Sequence, residues 1–244
     1  MIKNINGKRV EIYDTIEDLP IVRYNKLNRY LLIDSGIGSD AADIDNHIER
    51  IMRYARKDHE SAIKEAQNLR QNLYMISNEI NPSHMSFATL VKSIDNKEYP
   101  DKLSDSDVQE ILNSLSNAKH SLVSKLLEFV KKKIQQELML YFPFLGDSST
   151  TKEYYSRLLR HTKLKLDELI DGVDKSEEID RLEELMLKDS KPLTFHGANS
   201  VEIKTNKEFN KVCISISKEL GVDAKSMTVV EFFNAVEQLK ELNK

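Results

Sequence analysis

The chain has 244 residues and a formal net charge of −4, the wrong sign for a general nucleic-acid binder, which needs a basic surplus to displace counterions from phosphate. Its 40% hydrophobic residues suffice for a core, while seven glycines and five prolines are too few for a barrel, a sandwich or a Gly-rich nucleotide fold, all of which depend on many tight turns. The single cysteine, Cys213, excludes an internal disulfide and a thiolate zinc cluster; the polar start MIKNINGKRV predicts no signal peptide, and no run reaches the roughly 18 apolar residues of a membrane span.

The first element reads as a hairpin. Ile2 and Ile5 precede Asn6-Gly7, a dipeptide that accepts the positive φ angles of a type I′ turn, and Val10 and Ile12 alternate with Arg9 and Glu11. Pro20 suits the first turn of a helix whose face is Ile21, Tyr24, Leu27 and Leu31. That helix ends in the stretch YLLIDSGIGSD, residues 30–40. Gly36 is expected to close it in a left-handed conformation, Gly38 to let the chain turn, and Ser39 or Asp40 to cap the next helix. Ile44, Ile48, Ile51 and Ala55 predict the buried stripe of that second helix. Ala62, Ala66, Leu69, Leu73 and Ile76 predict that of a third, from Asp58 through Ile80. Asn81-Pro82 ends it, and Pro82 opens a further helix through Phe87 and Leu90. VKSIDNKEY, residues 91–99, reads as a second hairpin around Asp95-Asn96.

Ser104 is placed to cap a helix carrying Val108, Ile111, Leu112 and Leu115. The most apolar helix follows, residues 120–141, with Leu122, Leu126, Phe129, Val130, Ile134, Leu138 and Tyr141 as a wide stripe. It runs into MLYFPFLG, residues 139–146. This segment reads either as a core plug joining two halves or as an exposed patch for another subunit. GDSSTT, residues 146–151, is the best internal boundary. It separates a helical domain with an N-terminal hairpin, 1–145, from a smaller α plus β-hairpin domain, 151–244, unless the two are continuous. Thr150 with Glu153, Thr205 with Glu208 and Thr228 with Glu231 form capping-box patterns. KPLTF, HGANS and VEIKT, residues 191–205, read as strand, turn and strand, before helices over 206–220 and 229–242. The expected fold class is mainly α, helical bundle-like with short β-hairpins.

Asp34-Ser35-Gly36 is the one stretch that looks like chemistry. A subtilisin-like protease also needs a histidine in a His-Gly-Thr-like motif and a serine in Gly-Thr-Ser; here the only His-Gly is His196-Gly197, and no Gly-Thr-Ser exists. A retroviral-type aspartic protease does not tolerate long helices on both sides. An actin-like ATPase needs a larger Gly-rich chain, and a dinucleotide fingerprint needs a third glycine. The glycines are therefore read as geometry. His47, His59, His84, His120, His161 and His196 show no metal-ligand spacing and are read as surface or partly buried residues. Cys213 shares a helical face with Phe209, Ile216 and Leu220 and is read as a small core residue. Lys131 to Lys133 and the run from Arg157 to Lys165 form either solvated faces or surfaces for an acidic partner. No catalytic, metal or cofactor site is expected, and no enzyme activity.

The segment IYDTIEDLPIVRYNKLNRYLLIDSGIGSDAADIDNHIERI, followed by NLRQNLYMISNEINPSHMSFATLVKSID, resembles proteins encoded among the virion genes of tailed bacteriophages of gut Bacteroidales, including crAss-like phages. The matching features are Leu-Pro-Ile-Val-Arg, the Leu-Leu-Ile-Asp-Ser-Gly-Ile-Gly-Ser-Asp corner and Arg-Gln-Asn-Leu-Tyr, all within residues 11–115. The resemblance implies a structural virion protein made in the bacterial host cytoplasm, a subunit of a homo-oligomeric ring at the neck or tail, with other virion proteins as partners. It carries over no catalytic residues. For such a ring, Phe142, Phe144 and Leu145 are the expected interface anchors, with Lys131 to Lys133 meeting acidic residues. The alternative is a non-virion assembly factor such as a tail assembly chaperone, since residues 221–242 are similar to short helical assembly-chaperone sequences.

Overall fold

Two tight hairpins make the only sheet among the described residues. A computed structural model describes residues 1–115, 120–146, 149–189 and 191–242. Strands β1 (Ile2–Ile5) and β2 (Lys8–Ile12) turn through Asn6 and Gly7, at φ 52° and 79°. Strands β3 (Val91–Ile94) and β4 (Lys97–Glu98) turn through Asp95 and Asn96, also at positive φ. Asn, Asp and Gly carry such angles at least cost, so both turns follow from local chemistry. The sheet is antiparallel in the order β1-β2-β3-β4, with Val10 opposite Ile94 and a register shift between Glu11 and Ile12.

Around it lie α1 (Ile21–Gly36), α2 (Ala41–Ala55), α3 (His59–Ser77), α4 (Pro82–Leu90), α5 (Asp105–Ser114), α6 (His120–Tyr141), α9 (Val201–Leu220) and α10 (Val229–Leu242). Helices α7 (Ser149–Asp171) and α8 (Ser176–Asp189) form a separate hairpin. The fold is mainly α with short hairpins. Several starts are fixed by the expected caps. Asn81 accepts from the His84 amide at 2.9 Å ahead of Pro82. Ser104 and Asp107 exchange bonds of 3.1 and 2.7 Å, and Thr228 with Glu231 does the same at 2.8 and 3.4 Å.

Arg23 ties α1 to the sheet. It is 1% exposed and donates to the carbonyls of Thr89, Val91, Tyr99 and Pro100 at 2.5–3.1 Å, with its guanidinium 5.1 Å from the Tyr13 ring centroid. The buried face of α1 is accordingly Ile21, Arg23, Leu27, Tyr30 and Ile33, turned from the expected Ile21, Tyr24, Leu27 and Leu31. Tyr24 instead meets Phe233 of α10 edge to face at 6.5 Å. A similar rotation affects α6, which buries Val123, Leu127, Val130, Ile134 and Leu138 and leaves Leu122, Phe129 and Tyr141 exposed.

The chain divides into two compact units, Met1–Leu140 with Leu193–Lys244, and Tyr141–Pro192. The expected second domain, 151–244, is thus split. Its C-terminal part joins the first unit because residues 16–21 and 227–230 share backbone bonds: Ile21 N–H to the Met227 carbonyl, Val229 N–H to Leu19 and Val230 N–H to Ile16, at 2.9–3.1 Å. Residues 147 and 148 of the expected boundary lie outside the described residues. The strand–turn–strand expected over 191–205 is absent. Residues 191–195 form neither helix nor strand, and VEIKT is the first turn and more of α9, which places Thr205 inside a helix and not at its cap. Val, Ile and Thr favour strands only weakly when no neighbouring strand offers pairing. Thr150 likewise falls inside α7.

Candidate functional site

The three residues expected as anchors are divided by the fold. Phe142 is 1% exposed, its ring centroid 6.1 Å from that of Phe144 and 6.4 Å from that of Tyr141. It is a buried residue and offers no free surface. Phe144 is half-buried and Leu145 exposed. The most open apolar residue of MLYFPFLG is Leu140, 77% exposed. The lysine run is also divided: Lys133 binds Asp14 at 2.6 Å, while Lys131 and Lys132 point to solvent.

At the α1–α2 corner the glycines exchange their expected roles. Gly36 is the last residue of α1 and lies outside the left-handed region; Gly38 is at φ +70° and donates to the Ile33 carbonyl at 3.3 Å. A side chain at Gly36 would enter the Phe195 ring, and one at Gly38 would enter the Asp43 carboxylate. That carboxylate accepts from the amides of Ser39 and Asp40 at 2.8 and 3.1 Å, and Asp40 returns a bond from the Asp43 amide at 3.0 Å. Both glycines are therefore needed for close approach. Asp34 sits beside this cap. Burial, then the Asp43 charge, raises its carboxyl above the ordinary range.

The α2–α3 hairpin is turned relative to its sequence pattern. Of the expected stripes Ala62 is buried and Ile44, Ile51 and Leu69 are half-buried, yet Ile48, Met52, Ile63, Leu73, Tyr74 and Ile76 are exposed, Met52 by 65%. The buried face is polar: His47 on α2, and Ser61, Glu65, Asn68 and Asn72 on α3, together with Tyr54, Ala62 and Met75. His47 is 0% exposed. Its Nδ1 lies 2.8 Å from Glu65 Oε1, and its Nε2 lies 2.8 Å from the Ile37 carbonyl. Asn72 donates to the same carbonyl at 3.0 Å, and Asn68 donates to the Leu193 carbonyl at 3.0 Å. Arg50 Nε approaches Glu65 Oε1 at 3.0 Å. The Ile37 carbonyl at the corner and the Leu193 carbonyl lie outside any helix or strand and take their donors from side chains, and buried carbonyls need donors. The polar face of the hairpin supplies them, so the apolar face is left outside. Burial alone lowers the His47 pKa, but the hydrogen bonds to Glu65 and Ile37 outweigh it, and the net shift is upward from 6.5.

The second unit also turns apolar residues outward. Leu164, Ile179 and Leu182 form its core cluster, flanked by His161–Glu183 at 2.8 Å and Lys165–Glu183 at 3.1 Å. On α7, Leu159, Leu166, Leu169 and Ile170 recur at helical spacing on one exposed face, Leu169 by 81%.

Sequence reading took His47 for an ordinary surface or partly buried residue. The missed signal was the spacing of Ser61, Glu65, Asn68 and Asn72, a polar stripe of period 3.6 as regular as the apolar one beside it. Cys213 is buried as expected, with its thiol pushed up by burial. Among the described residues, no helix is long and apolar enough to cross a membrane. No family model, curated protein or solved structure matches the chain.

Proposed function

We propose that the chain is a non-enzymatic structural protein of a tailed-bacteriophage virion, one subunit of a homo-oligomeric ring at the neck or tail that also contacts other virion proteins. The observation that carries this reading is the α2–α3 hairpin, many of whose apolar residues are turned to solvent while its polar face is buried. Such a face costs free energy in a free monomer and is relieved when another surface covers it. The exposed stripe on α7 supports the same reading from the second unit. The likeness of residues 11–115 to virion-gene products supplies the context, and the missing partner residues for any Asp-Ser-Gly mechanism support a non-catalytic role. Cyclic closure uses heterologous contacts, in which one face of the subunit fits a different face of its neighbour. Two distinct apolar faces on one chain meet that requirement.

Quantitative mass spectrometry of purified mature particles tests the proposal. A ring subunit is present in several copies per particle. A single copy overturns the ring. Presence in infected-cell lysate with absence from particles overturns the virion role and favours an assembly factor such as a tail chaperone.

A further inference from the structure

Both ring nitrogens of His47 meet acceptors, a carboxylate oxygen at Nδ1 and a backbone carbonyl at Nε2. A neutral imidazole carries one N–H and satisfies one of them; the imidazolium satisfies both. A neutral histidine beside an ionised Glu65 sets a ring lone pair against an oxygen lone pair at 2.8 Å, whichever tautomer forms. With His47 at 0% and Glu65 at 1% exposure, no solvent replaces the lost bond.

The seat of the hairpin makes that bond matter. Its outward face is apolar, so its attachment to the corner is chiefly polar. Met75 is its member of the apolar cluster with Tyr30, Ile33 and Ile37. Asn72 on Ile37 and Asn68 on Leu193 are neutral contacts that do not change with pH. The charged groups around His47 are Glu65 on α3, Arg50 on α2, Asp34 on α1, and Asp40 and Asp43 at the corner. The hydrogen bonds of His47 go to Glu65 and Ile37 alone. Arg50 opposes its charge, and Lys131 acts on Asp34. The 193–195 segment brings a carbonyl and the Phe195 ring and no titratable side chain.

We propose that the α2–α3 hairpin is a proton-held latch: the His47 imidazolium, bridging Glu65 and the Ile37 carbonyl, seats the hairpin on the α1–α2 corner, and loss of that proton opens it. The inference is independent of the virion reading, since it concerns one chain in solution. The hydrogen bonds that raise the folded-state pKa of His47 set the direction. The latch is fully closed below the ordinary value of 6.5 and is lost as the pH rises through the raised folded value.

Hydrogen exchange on the full chain, corrected for the intrinsic pH dependence of exchange, tests this. Between pH 6.5 and the folded value, peptides within 41–77 should lose protection by about tenfold per pH unit, the slope of one linked proton. Peptides from β2, β3 and α4 should not change. His47→Gln should show no such slope. Constant protection of 41–77 across the window overturns the latch, as does a parallel loss throughout the first unit or a His47→Gln chain that keeps the slope. If His47→Gln fails to fold, the wild-type ring is followed by its Cε1–H chemical shift: an imidazole that titrates at or below 6.5 overturns the proposal.

Discussion

Arg23 and His47 are both buried cationic side chains bonded to backbone carbonyls in the same unit, and the two sites differ in what holds the charge. Arg23 has four carbonyl acceptors and no carboxylate within bonding distance; its planar fork spreads one charge over the end of α4, the start of β3 and the loop at 99–100. A guanidinium does not lose its proton in a protein, so that junction is permanent. His47 has one carbonyl, one carboxylate and an ionisable ring whose proton its two partners hold above the ordinary 6.5. One region is fixed to the sheet under all conditions, and the other is fastened conditionally. The surroundings agree with this division. Arg23 bonds the carbonyls of Thr89 and Val91, both fully buried residues, whereas the hairpin of His47 carries many of its apolar residues on the outside.

The sharpest way to break the comparison is at Arg23. Arg23→Met leaves four carbonyls without their donor and should cost about 3–5 kcal/mol, read as a lower denaturation midpoint at every pH from 6 to 9. Arg23→Lys should recover little of it, because an ammonium on a flexible stem does not reproduce the fork. A loss at Arg23 that grows with pH would erase the distinction from His47.

Next in size is the corner that carries the latch. Gly36→Ala places a methyl group in the Phe195 ring and should cost about 1–3 kcal/mol, as overpacking does. In a Phe195→Ala background the same change should cost much less, and the difference is the coupling energy of a double-mutant cycle. Additive costs would mean that Gly36 is required for some reason other than Phe195.

Smaller still for the folded chain is the outer face. Met52→Ser with Leu73→Ser should alter monomer stability by about 0.5 kcal/mol per site, since both side chains are already partly exposed to water. Self-association measured by sedimentation should nevertheless weaken. A stability loss with unchanged association would return this face to the core and remove the main support for the assembly reading.

These outcomes bear on what sequence alone can reveal. The turns at Asn6-Gly7 and Asp95-Asn96 and the caps at Asn81, Ser104 and Thr228 are legible because their chemistry is local, acting within four residues, whereas the same pattern at Thr150 and Thr205 falls inside α7 and α9. The period of each helix was legible as well, but its orientation was not. Ile44, Ile48 and Ile51 form a true stripe, and nothing within α2 records that the backbone carbonyl of Ile37 will claim His47 on another face. Phe142 illustrates the same gap at MLYFPFLG, where composition gave the apolar character of the segment and left open which rings are covered. The hairpin expected over 191–205 does not form because its β-branched residues have no partner strand, and VEIKT joins α9 instead. The closure of 16–21 on 227–230 is carried by backbone groups of distant segments, which leave no mark on side-chain pattern.

Asp34 marks the lower end of the scale. Its carboxyl is raised by burial and by the Asp43 charge, so its ionised form is a small liability to the fold. A carboxyl with a raised folded pKa is not penalised at a pH below its ordinary 3.8, where it is protonated in both states, and bears the full penalty above the folded value. Asp34→Asn removes the charge while keeping the shape. At neutral pH the variant should therefore melt at the same temperature as wild type or slightly above it, and that advantage should disappear as the pH falls toward 3.8. A catalytic or ligand-bearing carboxylate would differ in function and not in the melt, since its removal would abolish an activity. If a hydrolytic activity were found in the purified chain, lost in Asp34→Asn and kept in Gly36→Ala, the Asp-Ser-Gly stretch would be chemistry after all. The cap at Asp40 and Asp43, the ring at Phe195 and the left-handed Gly38 account for that stretch without one.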